Sequence, residues 1–412
     1  MTHKFLWGVA TSAFQLEGSP YADWTTWDLK FQTHPDVTHH YHLYQKDLKL
    51  LKDLGVNAYR FSLEWSRIQP EEDHWNEEAL RRSQNMVRIL RDEQIEPLIT
   101  LHHFTHPKWF IEKYAWHETR GKDKFLTFVE RVVNDLPEVR YWITFNEPLV
   151  FLLGGYLEGS MPPGICDRIS FIRAYKNILE AHGTAYDIIH SLSPEAWVGV
   201  AHNMVVFSPY RRWNLLDQFL AKIAHHYYNR SLLDALANGL LQIRFPVFKK
   251  IELKLPIRGK LDFLGVNYYT RIHLRFHPFR PMGLELKHED RDGHGLTDMG
   301  WEIHPRGMEQ TLWEASKIGC PMIITENGIA TRDHQKKAKF LKGHIDTLDK
   351  CLKKGLDIRG YFYWSLVDHY EWLIGFDAKF GLYSMNYDTL ERKATPAASF
   401  YSYLIKKRSH FQ

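Results

Sequence analysis

Eight short runs of β-branched and aromatic residues recur along the chain, with long amphipathic stretches between them. They are Phe5–Ala10, Ala58–Leu63, Pro97–Leu101, Trp142–Phe145, Trp197–Ala201, Phe263–Asn267, Met322–Thr325 and Gly360–Trp364. Between them, Tyr41–Leu54, Glu77–Asp92, Lys124–Val133, Phe171–Leu192 and His344–Lys354 place apolar residues at helical spacing, and Gly55 stops the first. Strands alternating with helices predict a parallel α/β sheet, and eight strands is the number that closes. At 412 residues the chain is long for one ordinary domain but suits a barrel, and no Gly/Ser-rich or low-complexity tract divides it. The expectation is a single (β/α)8 barrel, one catalytic domain over residues 1–412.

In such a barrel, chemistry sits at the carboxyl ends of the strands. Here nearly every strand end is polar or aromatic: Gln15 and Glu17, Arg60 and Glu64, His102-His103, Asn146-Glu147, His202-Asn203, Asn267-Tyr268-Tyr269, Glu326-Asn327 and Trp364-Ser365. Two of these stretches match. Tyr141–Phe145 runs into Asn146-Glu147-Pro148, and Pro321–Thr325 runs into Glu326-Asn327-Gly328. A glutamate taken at random is usually a surface or helix-capping carboxylate. These two follow buried-looking runs, where an unpaired charge is costly. Paired carboxylates are what hydrolysis of a glycosidic bond with retention needs, roughly 5–5.5 Å apart. They must differ in protonation, so their surroundings must differ. Glu326 is the expected nucleophile, held ionised by Arg60. Glu147 is the expected acid, its pKa raised by desolvation and by the charge on Glu326. Esterification of Glu326 removes that charge and frees Glu147 to act as base. Asn146 is expected on the sugar 2-hydroxyl.

The remaining composition excludes more than it assigns. Fifty-three basic against 49 acidic residues leave a net charge of +4, which implies neither a nucleic-acid nor a membrane partner. Cys166, Cys320 and Cys351 form no disulfide framework and no zinc pattern, which points to a reducing compartment. No stretch is apolar for long enough to span a bilayer, and the N-terminus reads as a first strand rather than a leader, so a cytoplasmic protein is expected. Fourteen Trp and 21 Tyr suit sugar stacking, but a large aromatic core explains them as well. His102-His103-Phe-Thr-His106 suggests a metal only superficially: on a strand His102 and His103 face opposite ways, and no further ligand completes a set. One imidazole is expected inside the barrel as a neutral donor to a sugar hydroxyl, the other in the core.

The motifs together resemble glycoside hydrolase family 1, the β-glucosidase type. The resemblance rests on Phe5–Gly18, Asn57–Arg67, Thr100–Phe104, Thr144–Pro148, Gly265–Tyr269, Ile324–Gly328, Gly360–Trp372 and Phe380-Gly381, and spans residues 5 to 403. It implies a (β/α)8 barrel, retaining chemistry, a small-molecule β-glycoside substrate and no cofactor or metal. It matches Glu147 to the acid/base and Glu326 to the nucleophile. Gln15, His103, Asn146, Glu371 and Trp372 match residues that bind the sugar, and Trp364 matches the platform beneath it. Arg60 and Tyr269 match groups around the nucleophile, with Asn267 beside them. Asn203 and Trp301 resemble the leaving-group side. The sequence departs from the family at His369, Lys379 and Asn386, where Asn, Arg and Asp are usual. Phosphoglycosidases of the family carry a small residue at the position of Glu371, so a non-phosphorylated sugar is expected, since a carboxylate would repel a phosphate. Preferential sugar transfer, or sugar binding without catalysis, are the competing readings. The sequence leaves the oligomeric state open.

Overall fold

The computed structural model describes residues 4–27, 36, 38–243, 251–280 and 283–408. All eight expected strands form: β1 Leu6–Ala10, β2 Ala58–Ser62, β3 Glu96–His102, β4 Tyr141–Asn146, β5 Trp197–Pro209, β6 Phe263–Phe276, β7 Met322–Asn327 and β8 Ile358–Trp364. Each pairs in parallel with the next, and β8 pairs with β1, so the sheet closes into a (β/α)8 barrel. Closure leaves no free edge within the barrel itself.

Alternation along each strand sorts the side chains into two layers. Leu6, Ala58, Leu98, Ile143, Phe263, Ile323 and Phe362 face inward and form an apolar floor. Trp7, Tyr59, Ile99, Trp142, Val198 and Ile324 face outward into the larger core beneath the helices. The helices follow local signals. Asn76 Oδ1 accepts from the N–H groups of Glu78 and Ala79 at the start of Glu77–Asp92, and Asp333 does the same for His334–Lys353. Gly55 closes His40–Leu54 in the left-handed conformation (φ 71°), where a Cβ is disfavoured. The helix read as His344–Lys354 starts ten residues earlier, because its lysine-rich first half hides the apolar face.

Two departures from regularity shape the catalytic end. In β4 the pairing with β5 slips between Ile143 and Asn146, and in β7 the pairing with β6 slips between Ile324 and Glu326. Strict alternation from inward-facing Ile323 would turn Glu326 outward. The extra residue turns it in, as bulges beside active sites do. In β4, Thr144 and Phe145 both face the helices, and Asn146 is returned to the interior. Second, β5 and β6 are longer than expected. They stay paired as far as Pro209 and Leu274, a two-stranded wall standing above the barrel mouth. The strand Leu284–Lys287 adds antiparallel to the outside of β6.

Candidate active site

Glu147 follows β4 and caps the short helix Pro148–Leu152, with left-handed backbone (φ 45°, ψ 55°). A proline at the first helical position disfavours the right-handed helical conformation in the residue before it. A positive φ at a non-glycine residue is strained and collects at functional positions. Here it leaves the carboxyl buried at the mouth, where Oε1 accepts from Asn203 Nδ2 (2.9 Å) and Asn267 Nδ2 (2.7 Å).

Glu326 is held differently. Its Oε1 accepts from Arg60 Nη1 at 2.6 Å, and its Oε2 from the Tyr269 hydroxyl at 2.5 Å. Arg60 rises inward from β2 with 1% of its surface exposed. It also donates to Thr100 Oγ1 (3.2 Å), the Thr325 carbonyl (3.1 Å) and Asn146 Oδ1 (2.7 Å). A buried cation with this many acceptors is a fixed positive charge beside one carboxylate. Asn267, expected beside Glu326, bridges the two sides. Its Nδ2 donates to Glu147 and to Asn146 Oδ1 (3.1 Å), its Oδ1 accepts from Thr325 Oγ1 (2.6 Å), and it also helps lower the Glu326 carboxyl.

These contacts order the ionisations. Burial pushes Glu326 above its ordinary value, against the opposing charge of Arg60 and the Tyr269 hydrogen bond. Burial pushes Glu147 up to about 7, with the charge on Glu326 adding to the shift. Glu371 is pushed up to about 8 by burial and by both other carboxylates. Among the described residues, Glu326 is the one of the three whose carboxylate accepts directly from the Arg60 guanidinium, a contact that favours its ionised form against the burial that lifts all three.

The other expected residues converge on the same mouth. Asn146 Nδ2 lies 3.1 Å from His103 Nε2. Since Asn146 Oδ1 already accepts twice, its Nδ2 donates, which leaves the His103 proton on Nδ1. Among the described residues that buried nitrogen has no hydrogen-bond partner. Burial and the Arg60 charge hold His103 neutral. His102 faces the other way, against Trp116, Phe145 and Phe151, and its Nε2 meets His106 at 2.8 Å. Gln15 accepts from Ser12 Oγ and donates through Nε2 to Glu371 Oε2 (3.0 Å) and the Tyr370 carbonyl (2.9 Å). Trp364 lies nearly parallel to His103, centroids 5.9 Å apart, and Trp372 packs on Phe14, Trp24 and Phe104. Trp301 stands edge-on to Tyr269 at 5.7 Å. The departure at His369 belongs to this wall: its Nδ1 is 3.2 Å from Gln15 Nε2, and its ring lies against Trp364 and Phe380. Among the described residues, no group of three or more His, Cys, Asp or Glu side chains could hold a metal, and no helix is long and apolar enough to cross a membrane.

Tyr228, which no motif marks, joins this network: its hydroxyl donates to Asn203 Oδ1 at 2.9 Å. Its only local signal is the run His225-His-Tyr-Tyr-Asn229, too aromatic and polar for an ordinary surface helix.

Known proteins share this architecture throughout. The Beta-glucosidase A of Acetivibrio thermocellus is 30% identical over 440 residues, covering 98% of this chain and 97% of its own. That of Thermotoga maritima is 31% identical over 438 residues, covering 98% and 97%. Among solved structures, a beta-glycosidase from Pyrococcus horikoshii aligns with a TM-score of 0.89 at 37% identity, over 98% of this chain and 95% of its own. A beta-glucosidase from Thermotoga maritima in complex with glucoimidazole gives 0.87 at 28% identity, over 98% and 99%. The profile of glycosyl hydrolase family 1 matches residues 1–410, and the chain belongs to that family.

Proposed function

We propose that this chain is a retaining β-glycosidase that removes terminal, non-reducing β-D-glucosyl residues, and accepts β-galactosyl and β-fucosyl residues as well. The observation that carries this reading is the contrast between Glu326, braced by Arg60 and Tyr269, and Glu147, held among the described residues by two neutral amides, within one buried network. The beta-glucosidases among its relatives, one of them in complex with glucoimidazole, support the choice of sugar. We further propose that the whole chain works as one catalytic unit on a soluble glycoside in the cytoplasm, without a cofactor.

In the first step the Glu326 carboxylate attacks the anomeric carbon as the Glu147 proton passes to the glycosidic oxygen, and the alcohol leaves. Glu326 is then a neutral ester, so one of the two causes raising Glu147 is gone. Glu147, left ionised by the first step, takes a proton from a water whose oxygen attacks the same carbon, and the bond from that carbon to Glu326 breaks, which releases the sugar and restores both groups. His103 Nδ1, Gln15, Asn146 and Glu371 are the groups we assign to the sugar hydroxyls, with Trp364 as the platform. Asn203 and Trp301 face the leaving group.

The test is steady-state hydrolysis of aryl β-glucoside, galactoside, fucoside, mannoside and 6-phosphoglucoside. Strong turnover of the glucoside is expected, and no turnover of any of the five would end the proposal. The free enzyme must hold its acid protonated, so kcat/KM on the glucoside should fall as pH rises through about 7. A flat profile to pH 9 would remove Glu147 from that role.

The 6-phosphoglucoside should be cleaved roughly a hundredfold less well once Glu371 is ionised, because like charges set face to face cost several kcal/mol. Glu371, pushed up to about 8, is largely neutral at pH 7, so its repulsion is only partly developed there. The discrimination should therefore sharpen as pH rises through about 8. Preference for the phosphorylated sugar would refute this account of Glu371.

A further inference from the structure

Asn203 can serve Glu147 in two opposite ways. Its amide nitrogen donates to a carboxylate and favours the ionised form, whereas its carbonyl would accept from a carboxylic acid and favour the neutral form. Which end faces Glu147 depends on what holds the other end. In this chain Asn203 Nδ2 faces Glu147 Oε1 at 2.9 Å, and Asn203 Oδ1 accepts from the Tyr228 hydroxyl at 2.9 Å.

Tyr228 reaches Asn203 because its segment is latched to β5. It lies in the one-and-a-half-turn π-helical segment His225–Arg230, which continues the helix Leu215–Ala224. Such widened turns occur often at functional sites. The next residue, Asn229, is buried. Its Nδ2 donates to the Val205 carbonyl (2.8 Å), and its Oδ1 accepts from the Val205 N–H (3.2 Å). Val205 is where the β5–β6 pairing slips, between Met204 and Val206. The Asn229 side chain thus pairs with the backbone of β5 two residues beyond Asn203. The Asn229 carbonyl also faces His202 Nε2 at 3.2 Å. The Tyr228 ring packs edge-on against Phe207, centroids 5.6 Å apart, which fixes its direction.

We propose that Tyr228 is a positioning residue for the acid/base carboxyl, fixing through Asn203 an amide that favours ionised Glu147 and so supports the second half of the reaction. This rests on the assignment of Glu147 as acid/base. The Tyr228 hydroxyl donates to Asn203 and makes no hydrogen bond to Glu147 or Glu326, so its hydrogen-bonding influence passes through the orientation of one amide. Without it Asn203 is free to turn its carbonyl toward protonated Glu147.

The test is Tyr228→Phe, which keeps the ring against Phe207 and removes the one hydroxyl. On an aryl glucoside with an activated leaving group, kcat should fall about two- to tenfold, the scale of one net hydrogen bond. The basic limb of the kcat/KM profile should move to higher pH, by up to about one unit. Added azide, which attacks the glycosyl-enzyme without a general base, should restore part of the lost turnover. In an Asn203→Ala background, Tyr228→Phe should add almost nothing. A fall in kcat with an unmoved pH limb would overturn the proposal, and so would an undiminished effect in the Asn203→Ala background. The wild-type panel separates this from the parent reading: if wild-type enzyme cleaves the glucoside and Tyr228→Phe leaves its pH profile alone, only the role of Tyr228 falls.

Discussion

Glu326→Gln should lower kcat/KM on the aryl β-glucoside by on the order of 10⁴-fold or more, the scale seen when a nucleophile is removed from a site that otherwise persists. Glutamine matches glutamate in shape, and its oxygen can accept from Arg60 while its amide nitrogen donates to the Tyr269 oxygen, so the fold should survive. What is lost is the electron pair that attacks the anomeric carbon. A second readout follows from the same change. After burial, the charge of Glu326 is the next largest cause that raises both Glu147 and Glu371. In the variant both carboxyls should titrate lower, which NMR with labelled glutamate would register. Retention of even a tenth of wild-type turnover would mean that Glu326 is not the nucleophile. Lost turnover with an unmoved Glu147 would separate the chemistry from the electrostatics.

Glu147→Gln should separate substrates by leaving group. Glutamine cannot deliver a proton but can accept from Asn203 and Asn267, which both point at Oε1. A glucoside of a poor leaving alcohol should lose about 10²–10⁴-fold in rate, the usual share of proton transfer. An activated aryl glucoside should still form the glycosyl-enzyme and then stall, giving a burst followed by slow turnover. Azide should release that intermediate as a β-glucosyl azide, because an anionic nucleophile needs no base. Equal losses on both substrates with no burst would place the acid elsewhere. Glu371, also raised by burial, would be the next candidate.

The parts of this architecture legible in the sequence are those governed by short-range repetition. Ile323 and Ile324, or Trp142 and Ile143, announce a strand because each lies in a run of β-formers too short for a helix. Glu147 and Glu326 stood out because carboxylates ending such runs conflict with burial unless something balances them. What was not legible depends on distant partners. The continuation of β5 to Pro209 makes sense only beside β6, which pairs with it as far as Leu274. Asn267 is expected beside Glu326, whereas its amide also reaches Glu147 across the mouth. Tyr228 lies 25 positions from Asn203, and no periodicity connects a π-helical turn to a slip in a strand. The left-handed backbone at Glu147 was only half visible: Pro148 signals a break, but the direction of the turn depends on how Ala201 receives the Glu147 N–H (2.8 Å).

The slipped pairings in β4 and β7 have an evolutionary consequence. Below each slip the inward positions are spoken for by the apolar floor, and above it they answer to the substrate. The one-residue offset makes each of these strands two independently phased texts. Substitutions in the floor can then accumulate for packing alone, while the rim is rewritten for new glycosides. A one-residue deletion above either floor would rejoin the phases with the inward group still inward, but would remove the contact the extra residue makes: Thr325 with Asn267 in β7, and Thr144 with His182 or Phe145 with Phe125 in β4. Length in these two strands should therefore tolerate less change than composition, and a lineage exploring new sugars should leave the residue count between Ile143 and Glu147, and between Ile324 and Glu326, untouched.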